Sequence, residues 1–373
     1  MQWHTHYSPI GLDIGSGQVK MAQLKRRGPQ WVVHHLAAAP LPNAAEASAA
    51  ESPQEIGHCL TSMRAAGGFV GKKVVSVLPC AEVDMRTVHV PLQAEPQDIQ
   101  NVLRREAESY LPYSFEEAIL DYIAAGEDSS SGAAKQRFLL VSTRRQSVAS
   151  HLALLQEAGL HCLALDAPPL ALSRLLLRQQ GLSTASPVLV IDIGHGHSKA
   201  FILWQDIVMY NRTFPWGGDL LTQAIATDLV LSAEKATDLK HQHGIDPHTV
   251  SPLIVSEASR RLHTQAIAGI LWEIVRPQLE HLAHELERIL SYWGAQFHGA
   301  LIDRVLLSGG GAALRNLDGY LRQHLGLDVA IVDPLGNFHS PSGHGRDLPQ
   351  QPASTPAMAV AVGLALRGTP KHG

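Results

Sequence analysis

Two short glycine-rich segments of this chain carry the same residue types at the same spacing, and both could bind phosphate. The first is IGLDIGSGQVK at residues 10–20, and the second is LVIDIGHGHSK at residues 189–199. Both have the form D-I-G-x-G-x-x-K after an apolar run. Glycines let the backbone turn and approach an anion closely, so that successive N–H groups can converge on phosphate oxygens. Two such loops facing each other would hold a triphosphate from both sides.

The aspartate of each loop is a candidate magnesium residue. A hydrated Mg²⁺ keeps several waters and bridges phosphate oxygens, so Asp13 and Asp192 could each hold it through water. Lys20 could add positive charge to a phosphate. For one loop alone, ordinary turn chemistry explains the residues equally well. The repetition in register, separated by nearly half the chain, favours a duplicated α/β unit and a phosphate site.

Two further features near these loops have alternative explanations. His195 and His197 of the second loop suggest a metal, but no third ligand has a suitable spacing, so we interpret them as loop residues facing solvent or phosphate. A third glycine cluster, SGGGAAL at residues 308–314, follows an apolar run and could pass close to an adenosine. Taken alone, that cluster is better explained as a tight connection from a strand to a helix.

The elements around the loops alternate between strands and helices. Apolar patterning predicts strands at residues 10–14, 19–24, 31–36, 73–78, 119–124, 138–142, 188–193 and 305–307. It predicts helices at residues 44–66, 99–110, 151–159, 170–179, 267–292 and 357–366, with a kink at Pro277 and loops at residues 126–135 and 339–355. The fully apolar strand at residues 188–193 is typical of buried parallel sheets.

The composition sets limits on the class of protein. A length of 373 residues with 45% hydrophobic residues predicts at least two domains. The net charge of −4 and the lack of a basic block argue against nucleic acid as a partner. Three widely spaced cysteines indicate reduced thiols in the cytoplasm. No apolar run reaches about 18 residues, so direct membrane insertion is not expected.

The motifs and their order along the chain resemble those of the actin, sugar-kinase and heat-shock-chaperone superfamily. They are a strand with DIGxGxxK, a strand with DIGxG, a strand with SGGG and a closing small-residue helix. The resemblance implies an α/β fold of duplicated actin-like (ribonuclease H-like) domains flanking a nucleotide cleft. Within that superfamily the chain is most similar to the PilM family of cytoplasmic type IV pilus assembly proteins. The segments GLDIGSGQVKMAQL at residues 11–24 and EAESYLPYSFEEAILDY at residues 106–122 carry this similarity.

The resemblance also implies a division of the chain. Residues 1–85 and 150–185 would form the first actin-like half, to which a closing helix within residues 356–373 could return. Residues 86–149 would form a small inserted subdomain. The second half would cover residues 186–355, with residues 217–300 as its helical subdomain.

An ATP·Mg²⁺ site in the cleft follows from the same resemblance, with no catalytic residue assigned. The first phosphate loop would consist of Asp13, Gly15, Ser16, Gly17 and Lys20, and the second of Asp192, Gly194 and Gly196. The segment WGGDLLTQAIA would place Gly217, Gly218 and Asp219 near the nucleotide, and Gly309, Gly310 and Gly311 would form the adenosine loop. Lys240 would approach the ribose or base, although Thr237 stands where the family usually has glutamate.

A second departure concerns hydrolysis. Pro168 stands where relatives often carry a Glu or Gln that orients the attacking water, and Asp166 lies two residues upstream. Orienting the nucleophile is a large part of what a phosphoryl-transfer site contributes. We therefore expect ATP binding with slow hydrolysis at most.

In PilM-like proteins the body recruits the short cytoplasmic N-terminal peptide of PilN, an inner-membrane protein, beside the inserted subdomain. The resemblance thus implies a cytoplasmic protein recruited to the inner-membrane face, with other pilus platform proteins as further partners. The groove would involve Glu106, Tyr110, Leu111, Pro112 and Tyr113, although Tyr110 and Leu111 could equally pack the subdomain.

Two other functions are considered. A cell-division scaffold like FtsA would be expected to end in an amphipathic membrane helix, whereas this sequence ends in RGTPKHG. A sugar or acyl-phosphate kinase would need a carboxylate base, for which only Asp166 is a candidate.

Overall fold

The computed structural model of the chain describes residues 6–28, 30–41, 53–92, 95–128, 135–179, 182–246, 260–297, 299–336, 338 and 355–367. These residues form two five-stranded sheets and one three-stranded sheet, with helices packed between and around them.

The first part of the chain contains the first large sheet and the small one. In chain order its elements are β1 (Ile10–Ile14), β2 (Gln18–Arg27), β3 (Gln30–Pro40), α1 (Pro53–Ala65), β4 (Lys73–Val77), β5 (Val83–Pro91), α2 (Pro96–Tyr110), β6 (Ala118–Asp128), β7 (Lys135–Arg144), α3 (Arg145–Glu157), β8 (His161–Asp166) and α4 (Pro168–Leu176).

The second part contains the other large sheet and three helices inserted before its fourth strand. Its elements are β9 (Val188–Ile193), β10 (Ser198–Trp204), β11 (Ile207–Phe214), α5 (Gly218–Asp228), α6 (Ala233–His243), α7 (Arg260–Gln296), β12 (Arg304–Ser308), α8 (Leu317–Leu325), β13 (Asp328–Ile331) and α9 (Ala359–Ala365).

The two large sheets have the same topology. Their strand orders are β3-β2-β1-β4-β8 and β11-β10-β9-β12-β13. In each sheet the first three strands form an antiparallel meander, and the remaining two pair in parallel beyond the first strand. The two D-I-G loops follow β1 and β9, which are equivalent strands. The sequence repeat is therefore also a repeat of three-dimensional structure.

Helix α9 returns from the far end of the described chain to the first sheet. It packs against β1, β2 and α4. A methyl group on Gly11 of β1 would overlap the backbone of Ala361, and one on Gly363 would overlap the carbonyl of Ala171 in α4. Backbone meets backbone at both crossings, so only glycine fits there.

A buried ion cluster attaches α9 to the end of β8. The Asp166 carboxylate, with 1% of its side chain exposed, pairs with Arg174 of α4 at 2.8 Å and with Arg367 after α9 at 3.1 Å. Arg174 also donates to Gly363 O at 2.8 Å, and Arg367 donates to Leu165 O at 3.1 Å. One carboxylate thus connects a strand, a helix and the segment that follows α9.

Several predicted element boundaries differ from those in the structure. Helix α1 is described from Pro53 to Ala65, and the earlier part of the helix predicted at 44–66 lies outside the described residues. Strand β6 continues to Asp128 and β7 begins at Lys135, so both ends of the predicted loop at 126–135 belong to strands, and residues 129–134 lie outside the described part. Helix α4 begins two residues earlier than predicted, because a proline is well accommodated in the first helical turn. The predicted loop at 339–355 lies outside the described residues, apart from Thr355.

The predicted helix at 267–292 and the predicted closing helix at 357–366 also differ from the structure at their ends. Helix α7 runs from Arg260 to Gln296 with Pro277 inside it, and is longer than the 267–292 pattern. The closing helix begins as a 3-10 turn, Thr355–Met358, before α9. The helix predicted at 99–110 does end at Tyr110, and Leu111 before Pro112 is extended.

The turn between α5 and α6 contains a strained residue, and this leads to a stability prediction. Val230 has a φ of 53° and is 90% exposed. Leu231 N bonds to Ala226 O and Val230 N bonds to Thr227 O, so Val230 occupies the position that glycine normally takes after a helix.

We expect Val230→Gly to raise the free energy of unfolding by about 0.5–1 kcal/mol, because glycine adopts this conformation without steric cost. Chemical denaturation would measure the change. Ala226→Gly, inside the same helix, is the control and should lose about 1 kcal/mol. A loss of stability in Val230→Gly would show that the valine makes a contribution other than strain.

Candidate phosphate-binding site

The two D-I-G loops have the same backbone geometry. Gly15 N donates to Gln18 O in the first loop, and Gly194 N donates to His197 O in the second, both at 3.0 Å. A methyl group on Gly194 would lie 2.7 Å from His197 O, so the second turn leaves no room for a side chain there. Each loop is a tight turn between two antiparallel strands.

Each loop places its aspartate opposite a lysine of the next strand. Asp13 pairs in register with Lys20, and Asp192 pairs in register with Lys199. In the first loop Lys20 Nζ donates to Asp13 Oδ2 at 2.9 Å, with only 14% and 13% of the two side chains exposed. Burial lowers the pKa of Lys20, but the charges of Asp13 and Asp192 outweigh that effect and raise the pKa overall.

The charged groups of both loops interact with one another. Burial raises the pKa of the Asp192 carboxyl above its ordinary value, opposed by Lys199 and Lys20 and reinforced by Asp13. Two carboxylates of like charge therefore share one part of the cleft. Mg²⁺ would offset that repulsion, so these residues fit a hydrated ion.

The two aspartates, Asp13 and Asp192, are too few to hold a metal ion by protein ligands alone. Across the described residues, no group of three or more His, Cys, Asp or Glu side chains is arranged to do so. A Mg²⁺ ion that keeps its waters and binds substrate phosphates needs only one or two carboxylates.

The two loops touch each other across the cleft. A methyl group on Gly17 would lie 2.9 Å from His195 Cγ, and one on Gly196 would lie 3.8 Å from Ser16 Oγ. The predicted facing arrangement of the loops is therefore present, but the imidazole of His195 lies between them.

The residues at the start of α5 support the second loop. Gly218 N donates to Gly194 O at 3.0 Å, and Asp219 N donates to His195 O at 2.9 Å. A methyl group on Gly217 would overlap the His195 carbonyl. The first N–H groups of α5 are thus bonded to the loop, so Gly217, Gly218 and Asp219 hold the loop in place.

Lys240 of α6 also supports this region. Its Nζ donates to Gly218 O at 2.7 Å and to Thr222 Oγ1 at 2.6 Å. Burial lowers the pKa of Lys240 to about 8, with Asp219 opposing the shift. In this structure Lys240 bonds to α5, whereas the resemblance implied an approach to a ribose or base.

The third glycine cluster packs behind the second loop. Gly309 has a φ of 85°, and a methyl group there would lie 2.7 Å from Asp192 Oδ1. Its N–H donates to Pro356 O at 3.2 Å. Gly310 and Gly311 begin a 3-10 turn that ends at Ala313, and α8 follows, as a strand-to-helix connection requires.

Asp166 and Pro168 have distinct surroundings. The Asp166 carboxylate is occupied by two arginines, and Ala167 N donates to its Oδ1 at 2.9 Å. Pro168 lines a small cavity between the halves together with Lys199 and Thr213. The cavity therefore receives no free carboxylate from this segment, because Asp166 is paired with the two arginines and Pro168 has no polar side chain.

Sequence reasoning did not assign a role to Lys199, and it interpreted His195 only as a loop residue facing solvent or phosphate. Lys199 was detectable, because it aligns with Lys20 in the repeat. The position of His195 depends on the distance between the two halves, which no local pattern encodes.

The predicted partner residues divide into two groups. Tyr110 packs into the small unit of α2 and the three-stranded sheet, which lies within the predicted inserted subdomain: its hydroxyl lies 3.1 Å from Ser142 Oγ, and the Arg86 guanidinium lies 3.9 Å from the ring centre. Leu111 packs against the apolar cluster of the same subdomain. These two residues therefore have a structural role.

The other three residues lie nearer to solvent. Glu106 and Pro112 are exposed, and Tyr113 is half-buried beneath Arg144, whose guanidinium lies 4.0 Å from the ring centre. This part of the subdomain offers an accessible aromatic and charged surface.

A buried histidine beneath the first loop leads to a pH prediction. His151 Nε2 lies 2.9 Å from Ser76 Oγ, which in turn donates to Leu12 O at 3.1 Å. Burial lowers the pKa of His151 below 6.5. The unfolded chain therefore takes up a proton near pH 6.5 that the folded chain resists, and stability falls as the pH decreases below that value.

We expect His151→Gln to flatten this pH dependence by up to about 1.4 kcal/mol per pH unit, as urea unfolding between pH 7.5 and pH 5.5 would show. The exposed His58 of α1 provides the control, since His58→Gln should keep the slope. The same slope in His151→Gln and in the unmodified protein would contradict the assignment.

Comparisons with known proteins match more than half of the chain to one family and a shorter part to a second. A family model described as type IV pilus assembly protein PilM matches residues 11–254, and one described as cell division protein FtsA matches residues 189–363. The solved structure titled PilM-PilN type IV pilus biogenesis complex is 26% identical, covers 98% of this chain and 99% of its own, and has a TM-score of 0.78.

Two further likenesses are consistent with this result. The ethanolamine utilization protein EutJ from Carboxydothermus hydrogenoformans is 16% identical over 97% of this chain and 90% of its own, with a TM-score of 0.54. The cell shape-determining protein MreB of Haemophilus influenzae is 27% identical over 171 residues, which are 41% of this chain and 48% of that relative. The predicted actin-like α/β fold is confirmed. None of the helices in the described ranges has the length and apolar character of a membrane span.

Proposed function

The chain belongs to the PilM family of type IV pilus assembly proteins, and we propose that it acts there as a nucleotide-binding, actin-like scaffold. One observation carries the nucleotide part of this proposal: the two halves bring Asp13, Lys20 and Asp192 together between two equivalent glycine turns. If the glycines and aspartates served only to form two ordinary turns, the two turns would have no reason to face the same cleft.

ATP with Mg²⁺ is the ligand that this charge arrangement supports best. When bound, Mg²⁺ would neutralise phosphate charge, held through water by Asp13 and Asp192. Lys20, and Lys199 on the equivalent strand, would bind phosphate oxygens. The backbone of the loops at Gly15–Gly17 and Gly194–Gly196 would approach the same phosphates.

Hydrolysis should be slow at most. A phosphoryl-transfer site needs a group that positions the attacking water. Asp166 is neutralised by Arg174 and Arg367, and Pro168 has no side-chain acceptor. Turnover comparable to that of a metabolic kinase would contradict this part of the proposal.

The partner that we propose is the cytoplasmic N-terminal peptide of a PilN-type inner-membrane protein. The likeness to the PilM-PilN complex covers nearly all of this chain, including the inserted subdomain. The accessible surface around Glu106, Pro112 and Tyr113 is the candidate docking region. None of the helices in the described ranges could span a bilayer. Binding of the peptide at this surface would bring the protein to the membrane.

Calorimetric titration with such a peptide, with and without ATP·Mg²⁺, tests this proposal. We expect binding that is tighter when nucleotide is present. Tyr113→Ala should weaken binding without much loss of stability, whereas Tyr110→Ala should mainly destabilise the subdomain. A scrambled peptide is the control. No binding of the native peptide in either condition would exclude the partner assignment.

A cell-division scaffold like FtsA is a second candidate, because the FtsA family model matches residues 189–363. That match covers the second half and α9 but omits the inserted subdomain. Binding of a cell-division partner, with no binding of the pilus peptide, would favour this candidate.

A further inference from the structure

His195 stands at the variable position of the second D-I-G-x-G loop, and its backbone is fixed from behind. Asp219 N donates to its carbonyl at 2.9 Å, and Gly217 packs directly against the same carbonyl. Helix α5 thus holds this peptide group in place, and the side chain of His195 extends toward Gly17 of the first loop.

The imidazole lies between the first loop and the start of α5. A methyl group on Gly17 would lie 2.9 Å from His195 Cγ and 3.3 Å from its Nδ1. On the other side, Nε2 is 3.8 Å from Asp219 Oδ1. With 34% of its side chain exposed, the ring is held among backbone and carboxylate groups rather than extending freely into solvent.

The two loops are not equivalent at this position. The first loop has Ser16, which is small and exposed, where the second has His195. A serine leaves the space between the loops open, whereas an imidazole fills it. Of the two residues at this position, only His195 places a ring beside the glycine backbone of the other loop.

We propose that His195 occupies the phosphate position between the two loops, so that a nucleoside di- or triphosphate binds only after displacing the imidazole. This inference rests on the proposed nucleotide binding and adds the residue that sets its affinity. The ring and a phosphate group cannot share one close-packed space. The apparent affinity is then reduced by the fraction of molecules in which the ring has moved away.

Removing the ring should therefore strengthen nucleotide binding. We expect His195→Ala to bind ATP·Mg²⁺ about three- to tenfold more tightly. In the unmodified chain, displacing the ring costs a few packing contacts and the ordering of one side chain, and that free-energy cost corresponds to a change in affinity of about this size. The gain should appear as faster association, since the open arrangement becomes the resting one. His195→Ser, which copies Ser16 of the first loop, should behave in the same way.

The experiment compares the unmodified chain, His195→Ala, His195→Ser and His197→Ala by calorimetry and by stopped-flow with ATP·Mg²⁺. His197 belongs to the same loop but has an exposed side chain, so its variant should match the unmodified chain. The α5 contacts to the loop use backbone atoms and persist in every variant, and equal melting temperatures would confirm this.

Each outcome distinguishes this inference from the proposed function. If the unmodified chain binds ATP and the His195 variants bind equally or more weakly, His195 does not obstruct the site, and this inference alone fails. If only the His195 variants bind, both proposals are supported. If no protein in the set binds ATP, nucleotide binding itself is wrong, and the inference fails with it.

Discussion

Replacing Asp13 with alanine should lower the affinity for ATP·Mg²⁺ by at least about 100-fold. A change of that size corresponds to roughly 2.7 kcal/mol, which is reasonable for removing a charged group that serves two purposes. Asp13 accepts the bond from Lys20 at 2.9 Å and contributes half of the carboxylate pair that would hold Mg²⁺. Without it, Lys20 is left to interact with Asp192 and competes with the metal.

Calorimetry with ATP, with Mg²⁺ present or removed by a chelator, measures this loss. Asp13→Asn keeps the size of the side chain and should show the same defect if charge is the cause. Asp303→Ala, at an exposed position before β12, should bind normally. If binding of the partner peptide depends on nucleotide, Asp13→Ala should lose that dependence too. An affinity within threefold of the unmodified chain would remove Asp13 from the site.

The second large effect is expected on stability. Asp166→Ala should lower the free energy of unfolding by about 3–5 kcal/mol, because it leaves two arginines beside each other without their buried counter-charge. Arg174 and Arg367 also bond to backbone carbonyls, so they cannot easily move away from each other. The contact between α9 and the rest of the first half should weaken most.

Thermal unfolding and limited proteolysis near residue 367 would detect this change. The control is Asp328→Ala, which breaks an ion pair of similar length with Arg304, 2.9 Å, on an exposed surface. Exposed pairs contribute about 0–1 kcal/mol. A loss in Asp166→Ala no larger than that in Asp328→Ala would show that the buried cluster does not hold α9.

The sequence was sufficient for features that depend on local chemistry. The D-I-G repeat, the apolar run before each loop and the small-residue closing helix predicted the duplicated fold, since each is encoded within a few residues. Lys199 could also have been assigned, because it occupies the same position in the repeat as Lys20.

Features that depend on distant contacts were beyond the sequence. Asp166 is held by Arg174 and Arg367, and the second of these lies near the other end of the chain. Lys240 bonds to Gly218 O because α6 packs beside α5, a geometry that no spacing rule predicts. His195 reaches Gly17 only because the two halves approach each other closely.

The crossing of α9 over β1 at Gly11 also has a consequence for synthesis of the protein. The ribosome makes β1 long before α9, because α9 follows the whole second half in the chain. Until α9 has been made, one apolar face of the first sheet stays uncovered. The contacts between β1 and α9 are far apart in sequence, so they are expected to form slowly. Apolar surface that is exposed until α9 has been made is a site of aggregation during folding.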